Sequence, residues 1–268
     1  MAQNKDKVIQ DTIKIKYGEI ARGSSWACGC ASESCCGGES GTSAEGIIHL
    51  STRLGYSESM LNSVPGSANL NLGCGNPQAI AELREGETVL DLGSGAGFDC
   101  FLAARQVGVQ GRVIGVDMTI EMVQKAYENA VKGSYPQVVF QLAAIEHLPI
   151  PSASVDVIIS NCVINLSPDK PQVFREAFRV LKPGGRLAIS DVVATAQIPQ
   201  EVQEDLELYS ACISGAIEIN LLKLMLSEVG FKDIKISAHD QSREIIRGWA
   251  PGDNLEDLVQ SAAIKAKK

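Results

Sequence analysis

Short apolar runs alternate with amphipathic stretches over most of the chain after residue 87. Seven runs rich in Val, Ile and Leu each predict a strand, at 89–92, 112–116, 137–142, 155–160, 186–191, 231–237 and 258–266. Four stretches with helical spacing predict helices, at 98–107, 119–132, 170–181 and 219–229. Strands that alternate with helices predict an α/β fold, with a seven-stranded, mostly parallel sheet and helices on both of its faces.

The first 75 residues precede this alternation and predict an N-terminal extension. Residues 4–22 have apolar positions near helical spacing, and they predict a helix that docks on the main domain or has a further role. Residues 23–46 are dominated by Gly and Ser, predict no regular element and crowd together Cys28, Cys30, Cys35 and Cys36. Three interpretations of this loop stay open: a zinc or iron–sulfur site, a mobile thiol-rich loop, or a loop without a role.

A glycine-rich turn, residues 91–97 (DLGSGAG), joins the first strand of the alternating region to its helix. Its spacing is G-x-G-x-G, not the G-x-G-x-x-G of dinucleotide-binding folds, and no P-loop Lys-Ser/Thr pair follows. Backbone N–H groups at such a turn can approach a ligand closely. Asp91 adds negative charge, which suits a ligand with ammonium and sulfonium groups better than a diphosphate. The turn resembles the first motif of Rossmann-like, S-adenosylmethionine-dependent methyltransferases.

That resemblance implies a binding site for the methyl donor, S-adenosylmethionine, at the carboxyl ends of the strands. Asp117 ends the second strand, about 20 residues after the turn, where an acid can accept both ribose hydroxyls. Ile145 follows the third strand, where this fold usually encloses the adenine. The predicted donor-binding residues are Asp91, Gly93, Ser94, Gly95, Gly97, Asp117, Met118, Ile145, Glu146 and Asn161. Residues 76–268 would form the methyltransferase domain, with 200–230 as a helical lid that contributes to the acceptor site.

Charge and cysteine content narrow the choice of partners. A net charge of −8 and a pI near 5.0 argue against nucleic acid. No apolar run is long enough to span a bilayer, and the N-terminus has no signal-peptide core, so we expect a cytoplasmic protein without a membrane partner. The 8 cysteines should then be reduced, which disfavours a disulfide framework and leaves metal binding, catalysis or packing.

Three cysteines occupy positions where an acceptor would bind. Cys74 lies between two glycines and is expected to be accessible, Cys162 follows the fourth strand, and Cys212 lies in the predicted lid. Three thiolates around a soft trivalent centre would leave its lone pair free, so methyl transfer would need alignment and no base. None of the 3 histidines lies beside a strand end, so a base is not evident. Cys100 is expected to serve packing.

The run 160–166 (SNCVINL), the segment 72–77 (LGCGNP), the glycine turn, and Cys212 with Gly215 resemble the arsenite S-adenosylmethionine methyltransferases. This resemblance implies that As(III) is bound by Cys74, Cys162 and Cys212, and that its lone pair attacks the methyl group in line. It further implies an N-terminal cysteine that exchanges thiols and disulfides, for which we choose Cys35 and Cys36. Glutathione or thioredoxin would deliver arsenic and restore the reduced enzyme.

Two other functions stay open at this point. The chain could be a methyltransferase of a small organic acceptor in which the cysteines are incidental. It could also be a thiol-rich metal sensor that kept the fold but lost catalysis. A sensor would be expected to bind DNA, which the net charge of −8 disfavours.

Overall fold

The computed structural model describes residues 2–23, 44–239, 242–247 and 255–268. Cys28, Cys30, Cys35 and Cys36 lie outside the described residues, so the predictions for the Cys-rich loop remain predictions. No helix among the described residues combines the length and the apolar character that crossing a bilayer requires.

The order of elements follows the predicted alternation. The α-helices are α1 (Ala2–Ala21), α2 (Ala44–Arg53), α3 (Glu58–Leu61), α4 (Gln78–Ala81), α5 (Phe98–Val107), α6 (Ile120–Gly133), α7 (Lys170–Val180), α8 (Gln200–Glu204), α9 (Leu206–Ser210), α10 (Ile219–Val229) and α11 (Arg243–Arg247). The strands are β1 (Thr88–Leu92), β2 (Arg112–Asp117), β3 (Val138–Leu142), β4 (Val155–Asn161), β5 (Leu181–Ala194), β6 (Ile217–Glu218), β7 (Lys232–Ala238) and β8 (Val259–Lys267).

These strands form one sheet in the order β3-β2-β1-β4-β5-β8-β7, with the two-residue β6 paired beside β5. Neighbours from β3 to β5 are parallel, and β8 runs antiparallel to both β5 and β7. The predicted α/β fold with a mostly parallel sheet is therefore confirmed. Strands β2 and β3 follow on one side of β1, and β4 and β5 follow on its other side, so the strand order reverses between β1 and β4. Ligands of open α/β sheets bind at such a switch point.

Alternate side chains of each central strand supply the two faces of the core. In β1, Leu90 faces a cluster shared with α7 and α10, whereas Val89 faces a cluster shared with α5. Both residues are fully buried. Strands of a parallel sheet are buried on both faces, so nearly all of their residues are apolar. These apolar runs are the feature from which the sequence predicted the strands.

Two predicted elements differ from the structure. The predicted helical lid, 200–230, begins with two short helices, because Asp205 ends α8 and its side chain accepts hydrogen bonds from the N–H groups of Glu207 and Leu208 to cap α9. Strand β5 begins at Leu181 and not at residue 186, because Leu181 already pairs with Val155 of β4 across a register shift.

Helix α1 packs on the main domain between α6 and α9. Lys16 Nζ donates to Ser210 Oγ over 2.6 Å, and Tyr17 OH donates to the Ser210 carbonyl over 3.2 Å. Lys125 Nζ of α6 donates to the Ala21 carbonyl at the end of α1 over 3.2 Å. Helix α1 is thus attached both to α6 and to the segment that carries Cys212.

Candidate functional site

A cleft opens at the carboxyl ends of β1, β2 and β4, beneath α1. It encloses about 1110 Å³ of empty space, open solvent included. Every predicted donor-binding residue except Gly97 lines it, namely Asp91, Gly93, Ser94, Gly95, Asp117, Met118, Ile145, Glu146 and Asn161. The structure thus brings the sequence-predicted donor residues together around a single cavity.

The glycines of the turn serve different purposes. Gly93 has a φ of +69°, and a Cβ there would lie 2.4 Å from Val163 Cγ2, so the turn packs closely against the residue after Cys162. Gly97 directly precedes α5 with a φ of +94°, and its Cβ would lie 2.8 Å from both Phe101 and Phe140. Gly95, in contrast, would direct a Cβ into open space.

Gly97→Ala is expected to destabilise the fold much more than Gly95→Ala. The first substitution combines a left-handed backbone with two aromatic clashes, for about 2–4 kcal/mol of lost stability. The second has only the backbone strain, about 1–2 kcal/mol. Urea unfolding of both variants measures the difference, and equal losses of unfolding free energy would contradict this assignment.

Two acids in the cleft, the buried Asp91 and the half-buried Asp117, have no cation beside them. Asp91 is 3% exposed, and its hydrogen-bond donor within the described residues is the thiol of Cys100, 3.2 Å from Oδ2. Burial, with the nearby Asp99 carboxylate, raises the pKa of Asp91 well above its ordinary value. Asp117 accepts hydrogen bonds from the N–H groups of Gly95 (3.0 Å) and Thr119 (2.8 Å), and burial raises its pKa too. Neither acid forms an ion pair in the described part of the chain.

One buried hydroxyl in the same wall has no partner. Ser94 Oγ is buried without a hydrogen-bond partner in the described structure, although Ser94 lines the cleft. A buried polar atom without a partner costs free energy, so the cleft is suited to a ligand with polar groups at this point.

Several cleft residues were missed by the sequence reasoning. Tyr56 OH donates to Asp99 Oδ1 (2.9 Å), and Gln78 Nε2 donates to the Asp99 carbonyl (2.9 Å). Tyr56 and Asp99 line the cleft, as does Tyr17 of α1. An acid within the apolar face of α5, beside the glycine turn, was the available signal for Asp99. No signal was available for Tyr56, because its position depends on tertiary packing.

The three predicted cysteines meet in one buried apolar cluster. Cys74, Cys162 and Cys212 are 3%, 5% and 3% exposed. Cys74 and Cys162 form a disulfide, and Cys212 Sγ donates to the Cys162 carbonyl over 2.9 Å. Cys162 lines the cleft, so the cluster adjoins this cavity. Three residues distant in sequence therefore converge at the carboxyl end of β4.

Two expectations about these thiols are wrong for this structure. Cys74 is buried and not accessible, because apolar neighbours surround it and Ser261 Oγ donates to its carbonyl over 2.7 Å. Cys74 and Cys162 form a disulfide in this structure and are not the expected free thiols, and their Cα separation of 5.8 Å lies within the range that a disulfide can span. Cys100 is fully buried in the core, as the packing interpretation predicted.

Two of these cysteines have a left-handed backbone. Cys162 has a φ of +58° and Cys212 a φ of +65°, a region that non-glycine residues adopt at a cost in free energy. Cys162 reaches this conformation directly after the end of β4, and Cys212 directly after the turn that ends α9. Left-handed cysteines on two separate loops that meet indicate a functional arrangement.

Charged groups surround the sulfurs. The Sγ atoms of Cys74 and Cys162 and a carboxylate oxygen of Asp191 all lie within 4.8 Å of one another. Burial raises the pKa of Asp191 to about 6, and burial lowers the pKa of Lys170 to about 8. Burial also raises the pKa of the Cys212 thiol well above its ordinary value, and nearby Asp191 acts in the same direction while Lys170 opposes it.

Lys170→Met is expected to change the pH dependence of unfolding above pH 8. Between about 8 and the ordinary 10.5, the unfolded chain binds more protons at this lysine than the folded protein does. Wild-type protein should therefore gain stability relative to Lys170→Met as the pH rises through this window. Urea unfolding across the window measures it, with the exposed Lys223→Met as the control that should run parallel to wild type. Parallel curves for both variants would contradict the burial argument.

A family model described as a methyltransferase domain matches residues 83–230. A solved arsenic(III) S-adenosylmethionine methyltransferase from Chlamydomonas reinhardtii is 33% identical, with a TM-score of 0.60; the alignment covers 81% of this chain and 72% of that one. The chain belongs to the arsenite methyltransferase family. The Rossmann-like sheet, with its cleft between β1 and β4, is therefore a methyltransferase domain.

Relatives named arsenite methyltransferase are longer than this chain. The protein from Halobacterium salinarum is 48% identical over 97% of this chain and 66% of its own length. The protein from Aquipseudomonas alcaligenes is 43% identical over 61% of this chain and 49% of its own length. The chain thus spans between about half and two thirds of these family members.

Proposed function

We propose that the chain transfers methyl groups from S-adenosylmethionine to As(III) held by Cys74, Cys162 and Cys212, as a step of arsenic detoxification. The observation that carries this proposal is the convergence of the three cysteines in one cluster beside the cleft. Soft thiolates select a soft acceptor such as trivalent arsenic. The names of the relatives support the same acceptor.

The cleft fits the proposed donor. S-adenosylmethionine supplies an electrophilic methyl group on a positively charged sulfonium. Asp91, buried without a cation, would bind the donor's ammonium group, and the partnerless Ser94 Oγ supplies a further polar contact. Asp117 would accept the ribose hydroxyls, while Ile145 would cover one face of the adenine. Gly93, Gly95, Met118, Glu146 and Asn161 complete the wall, and Gly97 supports the turn from outside the cleft.

Acceptor binding requires reduced cysteines. Two thiols of glutathione, or one thioredoxin dithiol, would give two electrons and two protons to the Cys74–Cys162 disulfide, which becomes two thiols, and would leave oxidised as a new disulfide. Arsenite, As(OH)₃, then takes three thiols and releases three waters. The arsenic lone pair stays free to form the bond to the methyl carbon while the bond from that carbon to the sulfonium breaks and S-adenosylhomocysteine leaves. Alignment therefore replaces a base and supplies about 7–11 kcal/mol of the barrier reduction.

Transfer oxidises the arsenic formally from III to V, and the same thiol reductant would supply the two electrons that return it to III. Cys35 or Cys36 would relay the exchange with this reductant. We place the reaction in the cytoplasm, where such a thiol pool is kept reduced. Residues 1–75 would act as the extension that brings α1 and Cys74 to the domain 76–268. Within that domain, the segment 200–230 would act as the lid that carries Cys212.

Mass spectrometry of the products tests this function. Purified protein with arsenite, S-adenosylmethionine and glutathione should form methylated arsenicals and S-adenosylhomocysteine in step. Omission of arsenite should stop both. Formation of S-adenosylhomocysteine with a small organic acceptor, without any methylated arsenical, would contradict the proposal and favour the alternative in which the cysteines are incidental.

A further inference from the structure

Two asparagines flank Cys162 in the run 160–166, and each one binds the backbone of a different cysteine loop. Asn161 Oδ1 accepts a hydrogen bond from the Cys74 N–H over 3.1 Å, and Asn161 Nδ2 donates to the Gly75 carbonyl over 2.8 Å. A Cβ on Gly73 would lie 2.5 Å from Asn161 Nδ2, so the loop approaches this amide closely. Asn161 therefore holds the Cys74 loop against the end of β4.

Asn165 makes the corresponding contact on the other side. Its side chain is buried, and Nδ2 donates to the carbonyls of Val192 (2.6 Å) and Cys212 (3.3 Å). A Cβ on Gly215 would lie 2.1 Å from the Asn165 carbonyl oxygen, so the Cys212 loop can approach this closely only with glycine there. Asn165 therefore holds the Cys212 loop against the ends of β4 and β5.

Asp191 fixes the orientation of this second amide. Asp191 Oδ1 accepts from Asn165 Nδ2 over 3.0 Å, and Oδ2 accepts from the Ile164 N–H over 2.8 Å. The turn after Cys162 is thus pinned to β5 at the same place where Asn165 reaches Cys212. Cys162 lies between the two contacts, in its left-handed conformation.

We propose that Asn161 and Asn165 are positioning residues with separate tasks: Asn161 places Cys74 opposite Cys162, and Asn165 places Cys212 as the third ligand. The inference rests on the proposed function, because it assigns these tasks to a site for As(III). Neither side chain needs to touch the arsenic. Each fixes one sulfur through the backbone of the loop that carries it.

Two arsenicals separate the two tasks. Phenylarsine oxide takes two thiols and releases one water, whereas arsenite takes three thiols and releases three waters. A protein that keeps Cys74 and Cys162 in place but loses Cys212 should still bind phenylarsine oxide. The same protein should bind arsenite weakly.

The experiment compares Asn161→Ala, Asn165→Ala and the control Asn129→Ala in the reduced 268-residue chain without S-adenosylmethionine. Asn129 is buried, as Asn165 is, and its Nδ2 donates to the Ala96 carbonyl over 3.0 Å, away from the sulfurs. Asn165→Ala should raise the Kd of arsenite by about 10- to 100-fold and leave the Kd of phenylarsine oxide within about threefold of wild type. Asn161→Ala should raise both constants, and Asn129→Ala should change neither.

A second readout needs no arsenic. In a glutathione redox buffer, Asn161→Ala should shift the Cys74–Cys162 pair toward the thiols, and Asn165→Ala should leave this equilibrium at the wild-type value. Equal effects of both variants on both arsenicals and on the disulfide would overturn the separate tasks, as would no effect at all. Wild-type protein that binds both arsenicals but forms no methylated product would refute the proposed function, while the contrast between the variants would still decide the roles of the asparagines.

Discussion

Cys212→Ser is expected to lower the kcat/KM for arsenite methylation by about 10²–10³-fold, while the Kd of S-adenosylmethionine stays near the wild-type value. A serine hydroxyl is a hard, poorly ionised ligand, so arsenic would be held by two sulfurs and would lose the alignment of its lone pair. The donor should be unaffected, because Cys212 does not line the cleft. Product analysis gives kcat/KM, and calorimetric titration gives the Kd.

The matched control is Cys100→Ser. Cys100 is also fully buried, and its thiol donates to Asp91 Oδ2, a hydrogen bond that a serine hydroxyl can replace. This variant should keep its activity within about threefold of wild type, because it removes no proposed arsenic ligand. Undiminished arsenite turnover in Cys212→Ser would end the three-sulfur proposal and return the cysteines to incidental status.

The fold was predictable because a parallel sheet buried on both faces leaves a strong local pattern. Val89, Leu90 and Leu92 read as a strand from their own composition, and the glycines after Asp91 mark the turn from strand to helix. The proposed donor-binding residues could be predicted from the same pattern, since the topology places each strand's carboxyl end at the same edge of the sheet. Gly97 is the exception, because spacing cannot distinguish a glycine that faces a ligand from one that lies between Phe101 and Phe140.

Tertiary contacts explain what the sequence could not predict. The Cys74–Cys162 disulfide depends on a loop before the sheet reaching the end of β4, a contact between residues 88 positions apart. The placement of α1 over the cleft through Tyr17 depends on its attachment to Ser210. The break between α8 and α9 had a local signal, since Asp205 is a favourable N-cap residue, but the apolar periodicity across it hid that signal.

Asp91→Asn is expected to raise the Kd of S-adenosylmethionine by about 10- to 100-fold and, at the same time, to maintain or raise the Tm of the ligand-free protein. Burial raises the pKa of Asp91 well above its ordinary value, so the folded protein binds a proton there more tightly than the unfolded chain. This acid consequently makes the folded protein less stable as the pH rises from the ordinary pKa to the raised one. A neutral amide removes that cost, together with the charge that would bind the donor's ammonium group.

Asp156→Asn should show the opposite pattern, which makes it the control. Asp156 lies at the other end of the sheet, where its Oδ2 accepts hydrogen bonds from Lys182 Nζ (2.7 Å) and from the Thr88 N–H (2.9 Å). These contacts keep the pKa of Asp156 below its ordinary value, so its replacement should lower the Tm at neutral pH. The Kd of S-adenosylmethionine should stay unchanged. Scanning calorimetry with and without S-adenosylmethionine measures both effects. If Asp91→Asn instead lowers the Tm as Asp156→Asn does, the Asp91 carboxylate stabilises the fold. The ammonium group of the donor would then be expected to bind at Asp117.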